Sequence, residues 1–251
     1  MELLIVADLE GISGVERWEM CDPAQPSYRR ALEEYVADVS AVATTARRLG
    51  ISRVALLDWH GRAFPPDRQP TEWEVVSPVL RTGHWIAVLL GFHARTGQRD
   101  AFAPQTFRPG WRIVWDGREA GELAIASRWL GERGIPLLLV TGDRALTREA
   151  EEWVEQTAAV AVKQARSAEE AECVPAERAR AAIADALERV LVRRAWWWVY
   201  RPEQPIRWEI VSPEGERCVI ESTSVSEALA RIPETIPGAA VGVCSHSELS
   251  G

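Results

Sequence analysis

Two carboxylates stand two residues apart in Asp8-Leu9-Glu10-Gly11-Ile12-Ser13-Gly14. In an extended chain that spacing turns both side chains to the same side. Carboxylates held side by side repel each other unless a cation or a proton relieves them. Gly11 and Gly14 let the following chain turn sharply and approach a ligand. Read alone, the segment also suits an acidic turn with a helix N-cap. Two of only four histidines occupy equivalent places: His60 in Asp58-Trp59-His60-Gly61 and His93 in Gly91-Phe92-His93-Ala94. Each follows a short apolar run, and each alone reads as a structural or surface histidine. Glu122, in Ala120-Gly121-Glu122-Leu123, falls in the first turn of an expected helix, where the dipole favours a carboxylate. There it is also an ordinary helix-start residue.

Taken together, Asp8, Glu10, His60, His93 and Glu122 form a mixed imidazole and carboxylate set. Such a set suits zinc, with manganese or cobalt as alternatives. Five ligands exceed what one catalytic zinc needs. With Asp8 as a bridge they would hold two ions about 3.5–4 Å apart. The charges fit, because two Zn²⁺ ions against three carboxylates leave one positive charge. A bridging hydroxide would cancel it and supply the nucleophile.

These residues must be positioned by a scaffold. Apolar runs at 2–7, 52–57, 85–90, 136–140 and 157–162 read as buried strands. Helical spacing covers 28–49, 120–133, 146–156 and 175–194, and Asp116-Gly117 marks a hairpin after 111–115. Beyond these, 196–200, 205–211, 217–221 and 238–243 read as strands, with a short helix at 225–231. Strands alternating with helices predict an α/β fold with a mainly parallel sheet flanked by helices, and a β-richer C-terminal subdomain. The expected division is 1–165 for the metal-binding part and 166–251 for the rest, packed as one compact unit. Asp8, His60 and His93 then fall at the carboxyl edge of the sheet, where open α/β folds bind ligands.

Composition narrows the function. The 251 residues are 47% hydrophobic and 26% charged, with a formal net charge of −8. That balance argues against a nucleic-acid or anionic-membrane surface. No stretch approaches the ~18–20 apolar residues of a membrane span. The opening MELLIVADLEG has no basic segment, so no signal peptide is expected, and four scattered cysteines without a Cys-x-x-Cys pair suit a reducing cytoplasm.

The sequence resembles the zinc-dependent D-aminopeptidase family. The shared elements are Asp8-x-Glu10-Gly11-Ile12-Ser13-Gly14, Asp58-x-His60, Gly91-x-His93-Ala94, Gly121-Glu122-Leu123, Gly142-Asp143 and Ala161-Val162-Lys163, in family order. They span residues 1 to about 165; the tail after 195 matches poorly. The resemblance implies a two-zinc aminopeptidase acting on short peptides with an N-terminal D-amino acid. It also implies Asp8, Glu10, His60, His93 and Glu122 as ligands, and a ring-shaped homo-oligomer with active sites facing an inner channel.

One departure stands out. The family carries a further histidine, in a His-Thr or His-Ser pair, that is proposed to act in catalysis. Here the corresponding pair is Gln105-Thr106. Glutamine can hydrogen-bond a substrate or a metal-bound water but cannot shuttle a proton near neutral pH. Losing a general acid/base costs roughly 10²–10⁴-fold. The resemblance therefore leaves a slow or altered hydrolase, an enzyme using another acid/base, or a metal-binding protein without peptidase activity. A metal-dependent hydrolase of another bond type is a further reading. His84 and His246 are the remaining imidazoles, with His84 at the wrong end of its strand. Lys163, the single lysine, ends a strand on a family motif and is expected to hold a substrate carboxylate or a developing oxyanion. Asp58 suits the orientation of His60, or core duty. The Trp196-Trp197-Trp198 run reads as core, oligomer interface or substrate wall.

Overall fold

The computed structural model describes residues 1–61, 73–76, 84–193, 197–239 and 241. Seven strands form the main sheet: β1 (Glu2–Ala7), β2 (Arg53–Asp58), β3 (Glu74–Val75), β4 (Trp85–Phe92), β7 (Leu137–Asp143), β8 (Ala158–Ala165) and β9 (Ala171–Cys173). Their order is β3-β2-β1-β4-β7-β8-β9. All neighbours pair in parallel except β8 with β9. The order reverses between β1 and β4, which opens a crevice beyond their carboxyl ends.

β1 explains the layering. Its alternate residues face opposite sides. Leu4 and Val6 enter a core built with α2 (Glu122–Glu132) and α3 (Arg144–Trp153). Leu3, Ile5 and Ala7 enter a second core built with α1 (Tyr28–Arg48) and α4 (Ala176–Arg193). A strand covered on both faces must be apolar throughout, which is why β4 reads Trp-Ile-Ala-Val-Leu-Leu-Gly-Phe and is buried along its whole length.

A second, antiparallel sheet of four strands covers the α2 side, in the order β11-β10-β5-β6. β5 (Arg112–Trp115) and β6 (Arg118–Ala120) form the expected hairpin. Asp116 and Gly117 take positive φ there, as a tight two-residue turn requires. β10 (Ile206–Val211) pairs with β5 on one side and β11 (Arg217–Ser222) on the other. This sheet therefore draws strands from both sides of residue 165. Trp115 and Trp208 meet edge to face at 5.5 Å in its core. Two short helices, α5 (Val225–Ala230) and α6 (Ile232–Thr235), complete the layer.

Two expectations need correction, and two short strands are unexpected. The segment at 196–200 is no tail strand over its described residues: Trp198 makes one bridge, to Leu137, and is 53% exposed. Trp197 instead donates its indole N–H to the Val190 carbonyl at the end of α4. Helix α3 starts at Arg144 rather than 146, because the Asp143 carboxylate accepts the Leu146 N–H at 2.7 Å and caps it. The short strands β3 and β9 carry no run long enough to be read from sequence. Trp196, His246 and half of the expected strand at 238–243 lie outside the described residues.

Pairing continues past the strand ends. The Asp8 N–H donates to Leu90 O at 2.8 Å, Gly11 N–H to Gly91 O at 2.7 Å, and Trp59 N–H to Ala7 O at 2.7 Å. This close approach is possible because Gly91 has φ +73° and no Cβ, which would lie 2.4 Å from the Asp8 carbonyl oxygen. Gly91→Ala is thus expected to destabilise the fold by about 2 kcal/mol or more, read from urea unfolding.

Candidate metal centre

The three loops that leave β1, β2 and β4 bring Asp8, Glu10, His60 and His93 together, and the start of α2 adds Glu122. His60 Nδ1 lies 3.4 Å from Asp8 Oδ1 and 3.3 Å from Glu10 Oε2. His93 Nε2 lies 3.3 Å from Asp8 Oδ2 and 3.4 Å from Glu122 Oε1. Two sets of three potential ligands result, Asp8-Glu10-His60 and Asp8-His93-Glu122, and Asp8 belongs to both. Its two oxygens face different histidines, as a bridging carboxylate's would. All five sequence-derived ligand candidates are therefore brought to one place.

The spacing fits metal ligation better than direct hydrogen bonding. Donor atoms sharing a tetrahedral zinc at roughly 2.0–2.1 Å lie about 3.3–3.4 Å from one another. Among the described residues, Asp8 Oδ2 and Glu10 Oε2 are buried without a hydrogen-bond partner. Buried carboxylate oxygens in that condition call for a cation. The other carboxylate oxygens are held in place. Leu9 N–H donates to Asp8 Oδ1 at 2.9 Å, and Gln105 Nε2 donates to Glu10 Oε1 at 2.8 Å. Glu122 receives the Phe107 N–H at 2.6 Å on Oε1 and the Trp59 indole N–H at 2.7 Å on Oε2. His93 Nδ1 sits 3.1 Å from the Ala94 carbonyl. With the proton on Nδ1, Nε2 is free to bind a metal.

The electrostatics agree. Burial, reinforced by the charge of Glu10, pushes the Asp8 carboxyl up to about 7. Burial would also raise Glu10, but His60 and His93 outweigh it and hold that carboxyl well below its usual range. Burial pulls both imidazoles down, yet the surrounding carboxylates hold them well above the ordinary histidine value. Without metal the cluster retains protons on its imidazoles; with metal those nitrogens must be neutral.

The cleft above the cluster has a volume of about 450 Å³. Trp18, Trp59, Phe107 and Pro109 give it apolar walls, and Asp22 and Arg108 add charge.

Comparison with known proteins follows the same lines. The family model described as D-aminopeptidase matches residues 1–224. The chain belongs to the D-aminopeptidase family. That places it among hydrolases. A D-aminopeptidase from Bacillus subtilis (strain 168) is 24% identical over 192 residues, covering 72% of this chain and 70% of that protein. The solved structure described as the Zn-dependent D-aminopeptidase DppA from Bacillus subtilis, a self-compartmentalizing protease, superposes with a TM-score of 0.80. It shares 18% identity and covers 90% of this chain and 93% of its own, so it supports the α/β fold.

Not every expected site residue of this D-aminopeptidase family member reaches the cleft. Gln105 lines it. Thr106 does not: alternation turns its side chain away, and its hydroxyl accepts the Thr96 N–H at 3.3 Å. Lys163 lies behind the Glu10 loop rather than in the cavity. Its buried ammonium donates to the Glu10 carbonyl at 2.7 Å and the Val15 carbonyl at 2.5 Å, pinning both ends of that loop. Burial lowers its pKa. Asp58 accepts the Tyr35 hydroxyl at 3.4 Å. His84 lies at the opposite end of β4, where its carbonyl accepts the Glu2 N–H.

Sequence reasoning missed several supporting groups. Asp38 accepts the Ser13 N–H at 2.9 Å and the Arg180 Nε–H at 2.8 Å, tying the Glu10 loop to α1 and α4. A carboxylate on the apolar face of α1, between Tyr35 and Val39, was the available signal. Trp59 stood unremarked inside the His60 motif.

Three expectations follow. Asp8→Ala removes a ligand from both triads, so metal content measured by mass spectrometry should fall close to zero. Glu10→Gln should leave the Asp8-His93-Glu122 set loaded. Because both imidazoles are held protonated without metal, zinc binding near pH 7 should release protons and weaken as pH falls, which calorimetry in buffers of different ionisation enthalpy would measure.

Proposed function

We propose that this chain is a binuclear zinc aminopeptidase that removes the N-terminal residue, D-configured, from short peptides. The observation that carries the reading is the pair of triads sharing Asp8 on the floor of the cleft. Asp8, Glu10, His60, His93 and Glu122 would hold the ions, and manganese or cobalt would suit the same donors. Bound zinc supplies a Lewis acid that polarises a carbonyl and acidifies water to a pKa of about 7.

The chain's own residues contribute positioning and exclusion of water. Trp59 and Phe107 fix Glu122 through two hydrogen bonds and wall the cleft with their rings. Lys163 and Asp38 fix the loop that carries Glu10. Gln105 orients Glu10 but moves no proton, since an amide has no accessible pKa near neutrality. That geometry favours a second reading: a weakened family member that binds metal and peptide without efficient hydrolysis.

The D-configuration and a ring-shaped homo-oligomer are inferred from the relatives, one a D-aminopeptidase and one described as self-compartmentalizing. Among the described residues no helix is long and apolar enough to cross a membrane, and Cys21, Cys173 and Cys218 are free. The free thiols suit a cytoplasmic setting.

A panel of D- and L-dipeptides, assayed beside metal content, tests the reading. Hydrolysis favouring D-substrates at about two zinc ions per chain is expected. Full metal occupancy with no hydrolysis of any dipeptide would remove the peptidase claim. Gln105→His should raise kcat by roughly 10²-fold if a proton shuttle is what the site lacks; an unchanged kcat would mean that this position is not used for proton transfer.

A further inference from the structure

We propose that Arg108 is a specificity residue that binds the terminal carboxylate of a short peptide lying in the cleft. The inference rests on the hydrolase reading above. Apart from the five ligand candidates, the charged residues lining the cleft among those described are Asp22 and Arg108. Arg108 is thus the one permanent cation there, since Lys163 is committed to the carbonyls of Glu10 and Val15.

The backbone aims it. Phe107 adopts φ +60°, a left-handed conformation that a non-glycine residue holds only under constraint. That turn points the Phe107 N–H at Glu122 Oε1, 2.6 Å away. Arg108 follows directly, so its side chain leaves the backbone one residue from the N–H that holds Glu122. Its Nη1 donates to the Pro237 carbonyl, and a Cβ on Gly238 would come within 2.9 Å of the same nitrogen. The C-terminal segment therefore braces the guanidinium on one side. A guanidinium has five N–H donors, so the bond to the Pro237 carbonyl leaves others to meet a ligand.

A carboxylate matches that planar fork, and bidentate pairing is the arginine's strongest contact. In a dipeptide the scissile carbonyl and the terminal carboxylate are one residue apart, about 3.8 Å between successive Cα atoms. A cation that lines the same cleft, rooted beside the residue that holds Glu122, is placed to meet that carboxylate. Longer peptides carry the carboxylate away from it, so the shortest substrates gain most.

The test compares a dipeptide that the zinc-loaded protein cleaves with its C-terminal amide, in wild type, Arg108→Gln and Arg108→Lys. Arg108→Gln should raise KM for the free dipeptide by roughly 10- to 100-fold, with kcat following far less. The amide, which has no carboxylate to lose, should be affected little, and Arg108→Lys should recover part of the loss. Equal effects on both substrates, or none, would overturn the proposal. If wild type cleaves neither, the hydrolase reading fails, and calorimetric binding of the same two compounds decides the role of Arg108. A carboxylate preference lost in Arg108→Gln would support it, and the absence of any preference would overturn it.

Discussion

Mutual repulsion among three buried carboxylates is the constraint around which this protein is arranged. Asp8, Glu10 and Glu122 are nearly inaccessible to water; Asp8 lies against both His60 and His93, Glu10 against His60 and Glu122 against His93. Folding them together without compensation would cost several kcal/mol per charge. Backbone N–H groups, an amide and an indole offset part of that cost. The protons held on His60 and His93 offset more. One oxygen on Asp8 and one on Glu10 have no hydrogen-bond donor, and both face the imidazoles that complete the two triads.

The sheet makes this convergence possible. β2, β1 and β4 lie side by side, with Ala7 opposite both Asp58 and Leu90, so their exit loops begin level with one another. The reversal of strand order beside β1 leaves room above them for the cleft. Buried polar groups hold the loops from below. Lys163 grips both ends of the Glu10 loop, and Asp38 with Arg180 ties its middle to the helices. The single lysine is thus used where a compact ammonium with three donors can bind two carbonyls.

Sequence and structure meet most closely where local pattern decides position. Apolar runs marked the long strands, and the ligand candidates fell at strand ends because a parallel sheet puts them there. What escaped the sequence depended on direction and distant partners. Lys163 ends its strand as expected, yet points behind the loop rather than into the cleft. Thr106 alternates away from its neighbour Gln105. The second sheet joins β5 to β10 across nearly a hundred residues, a pairing that neither strand announces alone. Trp198 turned outward, although three consecutive tryptophans suggest burial. Gln105 shows the opposite case: the substitution was visible in the sequence, but its hydrogen bond to Glu10 was not.

The central claim is that Asp8 bridges two ions. Crystals of the zinc-loaded protein, measured with anomalous scattering at the zinc edge, test it most directly. The account predicts two peaks about 3.5–4 Å apart, one beside Glu10 and His60 and the other beside His93 and Glu122, with Asp8 between them. A single fully occupied peak, or two peaks that do not share Asp8, would contradict it.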